Sequence, residues 1–262
     1  MSVLERVFTV GRDRRSVLTV ALVYLAAITA NELLTTYLEP RLGLVLHGGL
    51  LLILLLHTAF AWETRARDLM LTLSFAPLIR LLSLSLPLFN FPLVYWYLIT
   101  SVPLFVAVAI ALRTLHYTRD DIGVSLRGLL LQIPMGVMGV LFGYLEYHIL
   151  APKPLVKAFT WQQLWLPALI LMVSTGFAEE LIFRGVMQRA AQDALGGFSV
   201  LYVAILFAVL HVGYKSFLDI VFVFAVAIIW GYIVEKTRSI LGVSLAHGVT
   251  NVVLFLVAPF WF

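Results

Sequence analysis

The chain has 262 residues, of which 62% are hydrophobic and only 12% charged, and its mean hydropathy is +1.01. Soluble domains carry about 25% charge, so this composition excludes an ordinary soluble domain and describes a polytopic membrane protein. The net charge of +4 is no nucleic-acid signal, because the basic residues sit in short loops between apolar runs. Cysteine is absent, which excludes disulfides, thiolate metal sites and a cysteine nucleophile, transpeptidase-type sorting enzymes included.

Nine apolar stretches approach the twenty residues that a spanning helix needs. They run over about 17–38, 44–62, 68–88, 92–113, 125–149, 162–190, 198–214, 217–235 and 240–260. The first follows a basic start (Arg6, Arg12, Arg14, Arg15) but is too long for the apolar region of a signal peptide, and no small-x-small cleavage site ends it. It reads as a first transmembrane helix. The expected fold is all-α: a polytopic bundle of eight or nine spanning helices, without internal repeats or a separate soluble domain.

Loop charges orient it. With the N-terminus in the cytoplasm, twelve basic residues face inward: Arg6, Arg12, Arg14, Arg15, Arg65, Arg67, Arg113, Arg119, Arg127, Arg189, Lys236 and Arg238. Four face outward, namely Arg41, Lys153, Lys157 and Lys215, while Arg80 and Arg184 stay within the membrane. This bias supports a cytoplasmic N-terminus and an odd number of spans. The reading is an integral, multi-pass membrane protein, at the plasma membrane if the source is prokaryotic.

Charged groups at membrane depth are costly and are either paired or functional. In the first stretch Glu32 follows Asn31, and Arg80 lies in the third; a buried pair across helices is the expectation. His47 and His57 are ten residues apart in the second stretch, hence on different faces, and read as hydrogen-bonded histidines. Glu146-Tyr147-His148 closes the fifth stretch, where solvation at the interface is expected.

The sixth stretch carries Phe177-Ala178-Glu179-Glu180-Leu181-Ile182-Phe183-Arg184-Gly185. Glu180 and Arg184 are i and i+4 with the acid first, the favourable order for an ion pair. Glu179 lies about 100° further around the helix, so it escapes that arginine and is available for chemistry. A Gly196-Gly197 break precedes the seventh stretch, which ends Phe207-Ala208-Val209-Leu210-His211. The ninth supplies His247 and Asn251, again i and i+4. Glu179 and His211 each lie roughly 22–26 Å along their helices from the glycine pair, and His247 about 13 Å from Arg238, depths that a tilt of the helices could bring to one level.

A carboxylate, two histidines and an asparagine on three helices make a kit for hydrolysis. Glu179 takes a proton from water, His211 shares or relays it, and His247 with Asn251 holds the oxyanion. Glu179, His211 and His247 are also a ligand set for a divalent metal, although the zinc-protease spacing HExxH is absent.

Taken in order, Glu179-Glu180-x-x-x-Arg184, Phe207-x-x-x-His211 and His247-x-x-x-Asn251 resemble the three-motif signature of the CPBP intramembrane proteases. These are relatives of the type II CAAX prenyl endopeptidases and of bacterial bacteriocin-processing homologues. The resemblance covers about residues 162–255. It implies that Glu179 is the catalytic glutamate, that His211 assists it, that His247 and Asn251 form the oxyanion site, and that Glu180 and Arg184 are structural partners. It further implies a glutamate-dependent CAAX-type protease that needs no cofactor, a divalent metal being the open alternative, and a membrane-associated protein or peptide as substrate. Some relatives carry a further helix after the third motif, which the residues beyond Asn251 are too few to form. The resulting division is 1–160, transmembrane helices with no role assigned, and 161–262, a catalytic helical core. Two other readings compete: a non-catalytic scaffold or immunity protein of the same fold, and a transporter using Glu32, Arg80 and the histidines. The second lacks the repeat symmetry and paired broken helices such transporters show.

Overall fold

A computed structural model describes residues 14–61 and 66–262. Arg6, Arg12 and Arg65, which weigh in the orientation argument, lie outside those residues. Among the described residues there is no strand, and eight helices are long and apolar enough to cross a membrane. Their side chains are sorted in the manner of a membrane protein. Leu18, Val23, Ile53, Val106 and Leu130 face outward, while Glu32, Glu180, Arg184, Asp219 and His247 are buried. With no water in the hydrocarbon layer, a backbone crossing it must satisfy its own hydrogen bonds, and a helix does so.

Helices α1 (Arg14–Tyr37) and α2 (Pro40–Phe60) form an antiparallel pair. Glu39 caps α2 by accepting a hydrogen bond from the Arg41 amide, with Pro40 at the first helical position, where its missing N–H costs nothing. The third stretch is broken at Ser74 into α3 (Arg67–Leu73) and α4 (Phe75–Ser85). After the 86–92 loop come α5 (Leu93–Leu115) and α6 (Leu129–Leu150).

The sixth and seventh stretches belong to one helical run, Trp161–Tyr214. Its 54 residues would extend about 81 Å if straight, far beyond a bilayer. The run instead folds back at Gly196, whose φ of +61° and ψ of −129° suit glycine. This accounts for eight helices where nine apolar stretches are counted. Within the run, α7 (Trp161–Ile170) leads through a π-helical turn (Leu171–Phe177) into the single turn α8 (Ala178–Glu180). A second π turn (Leu181–Met187) then leads into α9 (Gln188–Leu195), and α10 (Ser199–Leu210) packs back along α9. The chain continues through α11 (Phe217–Thr237) and α12 (Leu241–Val252) to a last π turn, Val253–Val257.

Two packing features bring the polar residues of the C-terminal half together. Helix α12 lies against both α6 and the first π turn. At the second of these contacts Gly176 and Gly248 meet backbone to backbone, and a Cβ on Gly176 would stand 2.6 Å from the Gly248 Cα. The absence of both side chains is what lets the helix carrying His247 approach the turn carrying Glu179. On the other side, α10 packs on α1 and α9 on α3, so the N-terminal helices buttress the Trp161–Tyr214 hairpin.

Candidate active site

Glu179 and Glu180 sit in the one α-helical turn between two π turns. A π turn adds a residue to the helical register and re-aims the side chains after it, which is why such turns recur at functional sites. The two neighbouring carboxylates have opposite surroundings. Glu180 is fully buried, whereas the Glu179 side chain is 31% exposed. The divergence expected from their spacing is therefore present in the fold.

Glu180 is the hub of the buried network. Its Oε1 accepts from Arg184 Nη1 at 3.0 Å and from His247 Nδ1 at 2.8 Å. The first contact is the expected i,i+4 pair; the second joins the first motif to the third. Because a carboxylate only accepts, Nδ1 of His247 carries a proton and Nε2 is left turned toward Glu179, with Oε2 3.9 Å away. A carboxylate on one ring nitrogen fixes both tautomer and ring orientation, as it does for metal-bound histidines.

His211 obeys the same logic. Its Nδ1 lies 2.8 Å from the Phe207 carbonyl, one helical turn earlier. A carbonyl cannot donate, so Nδ1 is the donor and Nε2 holds the free lone pair. Phe207, the aromatic of the second motif, touches all three motifs. Its ring centroid is 4.7 Å from that of His211, 6.1 Å from that of His247 and 4.3 Å from the Arg184 guanidinium. The Trp230 ring on α11 is 5.8 Å from the same guanidinium, so a buried cation lies near two aromatic faces, a favourable contact.

Asn251 Nδ2 donates to Thr175 Oγ1 at 2.8 Å, and Thr175 in turn donates to the Leu171 carbonyl. One amide N–H of Asn251 is thereby fixed and the other left over. Glu179, His211, His247 and Asn251 all line one cavity of about 60 Å³. A larger, mainly apolar cavity of about 530 Å³, lined by α4, α5 and the hairpin, meets it at Glu179, His211, Tyr97 and Tyr214.

The expected Glu32–Arg80 pair is present. Arg80 Nε is 2.9 Å from Glu32 Oε1, and Nη2 contacts Oε2. The same Nη2 donates to the Leu210 carbonyl at 3.0 Å, tethering the residue next to His211 to α1. His47 stands 3.5 Å from Glu32, and His57 is hydrogen-bonded to the Tyr24 hydroxyl at 2.7 Å. Arg80→Gln removes the tether and leaves the buried Glu32 carboxylate without its cation, so a lower melting temperature in detergent is expected. An unchanged melting temperature would show that the pair contributes nothing to stability.

Glu146 departs from expectation. It is not solvated at an interface but 8% exposed, and it lines the same cavity as Glu179. Tyr97, Tyr214 and Trp230 are wall residues that the sequence does not announce, since aromatic residues in an apolar helix carry no positional signal. Among the described residues no group of three histidine, aspartate or glutamate side chains is arranged to hold a metal ion. Glu179, His211 and His247 thus share a cavity without converging as a ligand set.

Residues 161–253 match the model of the type II CAAX prenyl endopeptidase Rce1-like family. The match bears out the resemblance read from the three motifs, over the same part of the chain. No curated protein and no solved structure matches.

Proposed function

With an Rce1-like segment at 161–253 as premise, we propose that the protein is an intramembrane endopeptidase that hydrolyses a peptide bond in a membrane-associated protein or peptide. One observation supports this most. Of two adjacent carboxylates, Glu180 is consumed by Arg184 and His247, while Glu179 faces a cavity that it shares with two oriented imidazoles.

In this reading a water molecule lies between Glu179 and the Nε2 lone pair of His211. Glu179 takes its proton as the oxygen adds to the scissile carbonyl carbon. The developing oxyanion is met by the remaining N–H of Asn251 and by His247 Nε2, which donates when the ring, flanked by Glu179 and Glu180, carries both protons. As the C–N bond breaks, the amine leaves with the proton that Glu179 took, so water is divided between the two products. The apolar cavity that opens onto Glu179 offers a route for a substrate segment arriving from the lipid.

The test compares the termini of membrane proteins, by mass spectrometry, in cells with and without the wild-type protein. New termini that appear only with it establish proteolysis and give the substrate and the cleaved bond together. Identical termini in a range of hosts at equal expression would transfer the weight to a non-catalytic binding role.

A further inference from the structure

Opposite the motif residues, the small cavity is walled by groups that the hydrolytic scheme does not use. Glu146 on α6 lines it, is more than nine-tenths buried, and makes no side-chain hydrogen bond or ion pair with a described residue. Asp219 in the first turn of α11 does not line the cavity; it is fully buried, with neither carboxyl oxygen hydrogen-bonded among the described residues. The charged groups acting on Glu146 are Asp219, Glu179 and His247. Among the described residues no lysine or arginine lines the cavity, and its remaining wall is largely aromatic, with Phe142, Phe222, Trp230, Tyr97 and Tyr214 among its residues.

A buried polar group without a partner calls for an explanation, and a carboxyl among aromatic faces is the chemistry that recognises an ammonium group. Size narrows the class. About 60 Å³ accommodates a few water-sized groups. An ammonium is a compact point charge, whereas a guanidinium is a broad planar fork. We propose, building on the protease reading, that this cavity selects a substrate bearing a primary ammonium beside the scissile bond, with Glu146 as its specificity-determining partner. Beside a bond within a chain, a lysine side chain presents that group.

The experiment uses the full-length protein in detergent and a randomised peptide pool in which norleucine and arginine compete with lysine, cleavage sites being read by mass spectrometry. Wild type is expected to enrich lysine over both at one position flanking the cut by at least about tenfold, the order of one charge-assisted hydrogen bond. Acetylating lysine side chains removes the enrichment, and acetylating only the N-termini leaves it unchanged. Glu146→Gln reduces the selectivity ratio toward one, and Glu146→Lys favours acidic residues at that position. Cleavage with no preference for an amine, or a preference that survives Glu146→Gln, overturns the proposal and leaves the protease reading intact. No cleavage of any peptide by wild type, together with unchanged cellular termini, overturns both.

Discussion

Glu179→Gln is expected to lower the rate of peptide hydrolysis by about 10²–10⁴-fold or more, the range that a positioned general base contributes, while thermal stability stays close to that of wild type. The substitution keeps volume and removes only the ability to take a proton. The Glu179 side chain is partly exposed, and its ion-pair distance to His247 is a loose 3.9 Å, so the fold loses little. The loss belongs in kcat rather than KM, because a base acts in the transition state and adds little to ground-state binding. Glu179→Asp is a useful companion: it keeps the carboxylate but withdraws it by one methylene, and intermediate activity is expected. Hydrolysis by Glu179→Gln at the wild-type rate would remove Glu179 from the mechanism. The same assay on Glu146→Gln would then show whether the other carboxyl of the cavity is the base.

The apolar stretches, the Glu180–Arg184 pair and the Glu32–Arg80 pair are legible in the sequence because each rests on local periodicity or on the cost of an unpaired charge in lipid. The three motifs are legible as a group, and Glu179, Phe207, His211, His247 and Asn251 do line a single cavity. Whatever escapes the sequence has a physical source in each case. The first π turn before α8 lies against α12 at Gly176, and a backbone distortion at a contact between helices distant in sequence leaves no periodic trace. The contact from Glu180 to His247 joins residues 67 apart in sequence, and helix spacing is silent at that range. Glu146 reads as interfacial because it sits near the end of an apolar stretch. In the fold α6 packs against α12, the last π turn and α11, so the position is interior. The Gly196-Gly197 break is visible in the sequence, but not that the helices on either side form one continuous hairpin.

The second large effect is on stability, and it tests whether Glu180 works as a hub rather than as half of a pair. Arg184→Met leaves Glu180 buried with His247 as its remaining partner, and removing one member of a buried ion pair costs about 3–5 kcal/mol. A lower melting temperature in detergent and a lower yield are expected. Glu180→Gln alone strands Arg184, which is just as buried, but keeps an amide oxygen that still accepts from His247 Nδ1. The informative variant is the combination. If the charges matter chiefly to each other, Glu180→Gln with Arg184→Met is more stable than Arg184→Met alone, since no uncompensated charge remains in the core. Its turnover nevertheless stays low, because a neutral amide does not support the doubly protonated ring that donates from Nε2. Strict additivity of the two stability losses would show that the carboxylate and guanidinium do not act as one unit. Recovered turnover in the double variant would show that the charge of Glu180 serves the fold alone and that an amide oxygen orients His247 as well as a carboxylate does.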